Sequence, residues 1–117
     1  MTQPGEYDFT IYQGATLSRT VVWKDAAGAL VDLTGYTARM QIRASVRNPE
    51  ILVSLTTENG GIALGGTAGT VDLLLTAAQT AAIAARAGAY DLELVDSGGA
   101  VTRLLYGAVE ISPEVTR

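Results

Sequence analysis

Tyr36-Thr37-Ala38-Arg39-Met40-Gln41-Ile42-Arg43-Ala44 decides the fold. Tyr36, Ala38, Met40 and Ile42 fall on one parity, and Thr37, Arg39, Gln41 and Arg43 on the other. A strand turns successive side chains to opposite faces, so this stretch reads as a strand with one side in a core and the other in water. Asp32-Leu33-Thr34-Gly35 immediately before it reads as a corner. The Asp side chain can bond backbone ahead of it, and Gly accepts a positive φ at low cost.

Upstream, residues 16–24 alternate more roughly, with Leu17, Val21 and Trp23 on one face. Arg19 interrupts that face, which puts it at a sheet end or rim, stem on apolar surface and head in water. A first strand spans residues 7–13, and Asp25-Ala26-Ala27-Gly28 is a turn. Downstream, strands are expected at 51–56, 62–64, 70–75, 89–95 and 100–112, the last with a bulge near Gly107. Three consecutive leucines, Leu73 to Leu75, suggest a strand with apolar surroundings on both faces, so Leu74 is a candidate for core and interface alike. Thr76-Ala77-Ala78-Gln79 fits a capping box, and the Ala-rich run behind it predicts one short helix over 77–87, closed by Gly88. Asp96-Ser97-Gly98-Gly99 is a hairpin turn.

Seven or eight strands with one short helix before the penultimate strand make the pattern of an all-β, immunoglobulin-like antiparallel sandwich. Gly88-Ala89-Tyr90 resembles the corner at which such sandwiches bond a Tyr hydroxyl back to upstream backbone; a Tyr that simply fills the core is the alternative. Trp23 is expected to plug the space between sheets, with ligand stacking the less favoured role. Residues 7–112 form one domain, between a flexible arm at 1–6 and a tail at 113–117.

Composition removes most familiar chemistry. The 117 residues contain no Cys and no His, which excludes disulfides, thiolate zinc sites, and Cys or imidazole catalysis. A net charge of −4 is the wrong sign for a phosphate-binding surface, so nucleic acid is not an expected partner. No apolar run approaches the ~20 residues of a membrane-spanning helix, and the N-terminus lacks the features of a signal peptide. Asp91 and Glu93 on one strand, with Asp72 on another, could form a catalytic acid pair, but a solvated sheet face accounts for all three. A Ser nucleophile would have only Lys24 as an amine base, beside a turn where burial is not expected. Gly65-Gly66-Thr67-Ala68-Gly69 lacks the Lys and Ser/Thr of a phosphate loop and precedes a strand. Neither Asp-containing turn supplies the alternating oxygens of a calcium loop. No catalytic residue, cofactor or metal site is therefore assigned.

What remains are candidates for contact with other proteins. Arg39 and Arg43, with Gln41 between them and Arg47 continuing the row, form either a solvated face or a patch for an acidic partner. Leu104 and Tyr106 share a face opposite Val101 and Leu105 unless a bulge intervenes, and are the apolar pair expected to meet another subunit.

A family resemblance extends this reading. Val22-Trp23-Lys24-Asp25 with Gly28, then Val31 through Arg43, then Gly88-Ala89-Tyr90-Asp91-Leu92-Glu93-Leu94 and the closing 107–116 segment resemble small virion proteins of tailed bacteriophages and prophages. The layout is similar to the immunoglobulin-like N-terminal domain of phage baseplate upper proteins. Its most specific piece is Asp32-Leu33-Thr34-Gly35 leading into the alternating strand. The resemblance implies a virion structural module made in the host cytoplasm, without enzymatic activity or cofactor. Its implied partners are other virion proteins and copies of itself in a symmetric particle, without nucleic acid or membrane. Tail, baseplate or fibre attachment is the first placement and capsid decoration the second; a carbohydrate-binding sandwich is the alternative of a different class.

Overall fold

The computed structural model of the chain describes residues 5–116. Nine strands and one α-helix lie among them: β1 Gly5–Glu6, β2 Phe9–Tyr12, β3 Leu17–Val22, β4 Thr37–Arg43, β5 Ile51–Thr56, β6 Ile62–Leu64, β7 Thr70–Leu75, α1 Ala77–Ala81, β8 Ala87–Val95 and β9 Val101–Ser112. They form two sheets. The larger runs β1-β9-β8-β4-β5, with β2 also on β9, and the smaller runs β3-β7-β6. The eight strands anticipated from sequence are present, and Gly5–Glu6 is a ninth.

β4 behaves as its alternation requires. Ala38, Met40 and Ile42 are buried while Thr37, Arg39 and Gln41 are exposed. It lies between β5 and β8 in the larger sheet, antiparallel to both. Leu92 and Leu94 on β8 and Val109 and Ile111 on β9 join it in a core closed from the smaller sheet by Leu17, Val71, Leu73 and Leu75. Asp32 builds the corner before β4 by accepting from Thr34 N at 2.9 Å and Thr34 Oγ1 at 2.6 Å. Leu33 is thereby driven into the core. Asp25 and Asp96 make two hairpins of one design, each accepting two backbone N–H groups through Oδ1, with Gly28 and Gly99 at positive φ.

Several expectations are corrected. The antiparallel description fails at the N-terminus, where β1 and β2 both run parallel to β9. Gly5 and Glu6, assigned to a flexible arm, are therefore part of a sheet, while residues 1–4 and Arg117 lie outside the described residues. The tail is tied as well, since Glu114 N donates to Gln13 Oε1 at 3.0 Å.

The helix ends at Ala81, well short of residue 87. Its capping box forms as expected, with Thr76 N on Gln79 Oε1 at 2.8 Å and Gln79 N on Thr76 Oγ1 at 3.2 Å. Alanine propensity then loses to tertiary bonding. Gln13 Nε2 takes the carbonyl of Ile83 at 2.9 Å, Ile111 N takes that of Arg86, and Ala87 already pairs with Glu110. Thr80, fully buried, bonds Gly14 N and Ala15 O and pins α1 to the turn after β2.

Candidate functional site

On the outer face of the larger sheet the register sets Arg39 opposite Glu93 and Gln41 opposite Asp91. Across β8 and β9 it sets Asp91 opposite Tyr106 and Glu93 opposite Arg103. Arg39 Nε meets Glu93 Oε1 at 2.8 Å, and Arg103 Nε lies 3.5 Å from Asp91 Oδ2. Exposed pairs of this kind contribute only ~0–1 kcal/mol each, but they bind the acids to arginines and not to one another. Asp72 belongs to the other sheet, where it accepts from Thr20 Oγ1 at 2.6 Å. Asp72 is thus separated from Asp91 and Glu93, which stay two apart on the outer face of β8, each beside an arginine. A shallow cleft of about 280 Å³ lies over Gln41, Arg43, Val46, Ala89 and Asp91. Among the described residues no group of three or more Asp or Glu could hold a metal ion.

The arginine row does not extend as a free patch. Arg43 donates to the carbonyls of Asn48 at 2.9 Å and Pro49 at 2.8 Å and to Gln41 Oε1 at 2.9 Å, so it staples the loop after β4. Arg47 is exposed in that loop, off the strand. Arg39 remains at the surface, paired with Glu93.

The apolar candidates separate. Leu104 is 9% exposed and packs in the core, whereas Tyr106 is 41% exposed. The bulge that parts them is at Leu104 and not at Gly107: Leu92 faces Leu105, Glu93 faces Arg103, and Leu104 is the extra residue between. One added residue resets the alternation, so Leu104 turns inward and leaves the interface set. Leu74 is 43% exposed between buried Leu73 and Leu75, so the leucine run marks an ordinary half-buried strand whose outer residue faces solvent.

Of the two aromatic expectations, the one for Trp23 is revised and the one for Tyr90 is met. Trp23 sits just past β3 and is half-buried against the core margin, edge-on to Tyr36 at 6.0 Å; it does not occupy the middle of the sandwich. The Tyr90 hydroxyl bonds upstream backbone as the sandwich-corner reading expects, donating to the Tyr7 carbonyl at 2.5 Å, at the break between β1 and β2. Burial pushes the Tyr90 phenol well above its ordinary 10.0. Asp32 goes the other way, held below the ordinary 3.8 by the two Thr34 hydrogen bonds.

One feature is absent from any sequence pattern. Among the described residues β3 pairs only with β7, so its other edge is open there along the seam between the two sheets. A cleft of about 280 Å³ follows that seam, lined by Tyr7, Arg19, Thr20, Val21 and Leu105. Arg19 was legible as a residue at a rim; that the rim belongs to an unpaired edge depends on β1 and β2 leaving β3 for β9.

Two facing sheets, one with its first strands parallel to its last, define an immunoglobulin-like β-sandwich. A solved chicken TCR matches it with a TM-score of 0.53 at 15% identity, over 97% of this chain and 56% of the other. At that identity the likeness is one of fold. No protein-family pattern and no curated protein matches the chain.

Proposed function

We propose that the chain is a non-enzymatic structural module of a tailed-bacteriophage virion, docking on the tail, baseplate or fibre-attachment side. The residue resemblance centred on Asp32-Leu33-Thr34-Gly35 and β4 supports this reading. The observation that carries it is the placement of exposed apolar residues on opposite outer faces, Leu74 on the smaller sheet and Tyr106 on the larger. A rigid sandwich with contacts on both faces can bridge two neighbours, as a subunit of a symmetric particle must. Its acidic balance fits protein partners better than nucleic acid.

The test is incorporation. Particles released from the encoding lysogen carry a tagged copy, and purified virions are analysed for the chain and imaged by electron microscopy. The tagged chain is expected in tail or baseplate density, and Leu74→Asp with Tyr106→Asp is expected to fold normally yet be missing from particles. Density on the head would transfer the role to capsid decoration. Virions wholly lacking the wild-type chain would refute the proposal.

A further inference from the structure

We propose that the open edge of β3 is an acceptor for an extended segment of a partner protein, and that Arg19 selects a segment carrying a carboxylate between two apolar residues. This deepens the assembly reading and rests on it only in taking the partner to be a protein.

Two independent features meet at this edge. The first is the edge: Leu17–Val22 hydrogen-bonds to β7 on one side and, among the described residues, meets no strand on the other. Unpaired backbone of this kind is a template for strand addition unless something guards it. The second is the charge. Arg19 lies on the inward parity of β3 between buried Leu17 and half-buried Val21, beside Tyr7 and Leu105 across the seam. Its neighbours in the cleft offer no carboxylate, and no ion pair to it occurs among the described residues. It bonds back to its own strand, Nη1 donating to the Ser18 carbonyl at 3.0 Å.

That local bond makes Arg19 a gate. A wholly apolar strand laid along the seam would bury an unpaired guanidinium, which is costly. A strand with a carboxylate at the facing position supplies a charge-assisted partner and draws the side chain from Ser18, freeing that carbonyl for the incoming backbone. Flanking apolar residues would cover Val21, Tyr7 and Leu105. The same residue thus guards against indiscriminate pairing and recognises an acidic strand.

The probe is a short blocked peptide whose inward face reads valine, glutamate, valine with threonines between, compared with the same peptide bearing glutamine for glutamate. Binding to the full chain is followed by amide chemical shifts. The glutamate peptide is expected to move Ser18 to Val22 and to bind about tenfold more tightly than the glutamine peptide, the worth of one charge-assisted bond. Arg19→Met is expected to abolish or reverse that preference, and Arg19→Glu to favour a lysine version. No binding of the glutamate peptide, equal affinity of the two peptides for the wild-type chain, or shifts confined to another surface would overturn the proposal. The wild-type contrast decides even where a variant fails to fold. Particle incorporation is read separately, so failure of the edge and failure of the assembly role are distinguishable.

Discussion

Replacing Gly107 by Ala tests how the N-terminal strands are held. Gly107 lies opposite Tyr90 on β9, and its φ is outside the left-handed region, so the backbone alone would tolerate alanine. On chain entropy the substitution would stabilise by about 0.4–1 kcal/mol. Packing reverses the sign. A Cβ built there overlaps the Tyr7 carbonyl oxygen and falls 2.8 Å from the Tyr7 carbonyl carbon and 2.7 Å from Asp8 Oδ1, where backbone cannot yield cheaply. Relief requires the crossover at Tyr7 and Asp8 to lift from β9. Three bonds go with it: Tyr90 Oη to Tyr7 O, Ala108 N to Asp8 Oδ1 at 2.9 Å, and Tyr7 N to Tyr106 O at 2.9 Å. At ~1 kcal/mol each, less the entropic gain, the net loss is about 2 kcal/mol. Urea unfolding measures the loss, and hydrogen exchange at Tyr7 and Ala108 should show it to be local. A variant as stable as the parent, with both amides still protected, would refute the reasoning.

Tyr90→Phe removes the hydroxyl that donates to Tyr7 and is expected to lower stability by about 1–2 kcal/mol near neutral pH. It also removes an alkaline sensitivity. The phenol is raised in the folded chain, so above its ordinary 10.0 the unfolded chain binds fewer protons and stability falls as pH rises. Urea midpoints from neutral to strongly alkaline pH should decline in the parent and stay flatter in the variant; parallel curves would contradict this. Leu104→Asp buries a carboxylate in the core and is expected to cost about 3–4 kcal/mol, whereas Tyr106→Asp on the outer face stays within about 0.5 kcal/mol. Equal thermal melts for the two variants would put Leu104 back on the surface.

Local chemistry made much of the architecture legible. The alternation of β4, the Asp-anchored turns at Asp25, Asp32 and Asp96, and the capping box at Thr76 depend on residues within a few positions of one another, and all five took the expected form. Features set by partners distant in the chain were not legible. Helix length depended on Gln13 and Ile111 reaching the carbonyls of Ile83 and Arg86. The orientation of Leu104 depended on a one-residue mismatch between β8 and β9, which no reading of β9 alone contains.

The candidate surfaces divide in the same way. Sequence marked Arg39 and Tyr106 as outward, because a strand's parity is a local property, and it marked Arg19 as a misfit on an apolar face. Only the tertiary structure decided that Arg43 is consumed by its own loop, that Asp91 and Glu93 are matched to arginines, and that Arg19 stands at an unpaired edge. The physical reason is that side-chain direction follows from backbone geometry residue by residue, whereas the choice of strand partner is a competition among distant segments. Here β9 won β1 and β2, and among the described residues one edge of β3 was left without a partner.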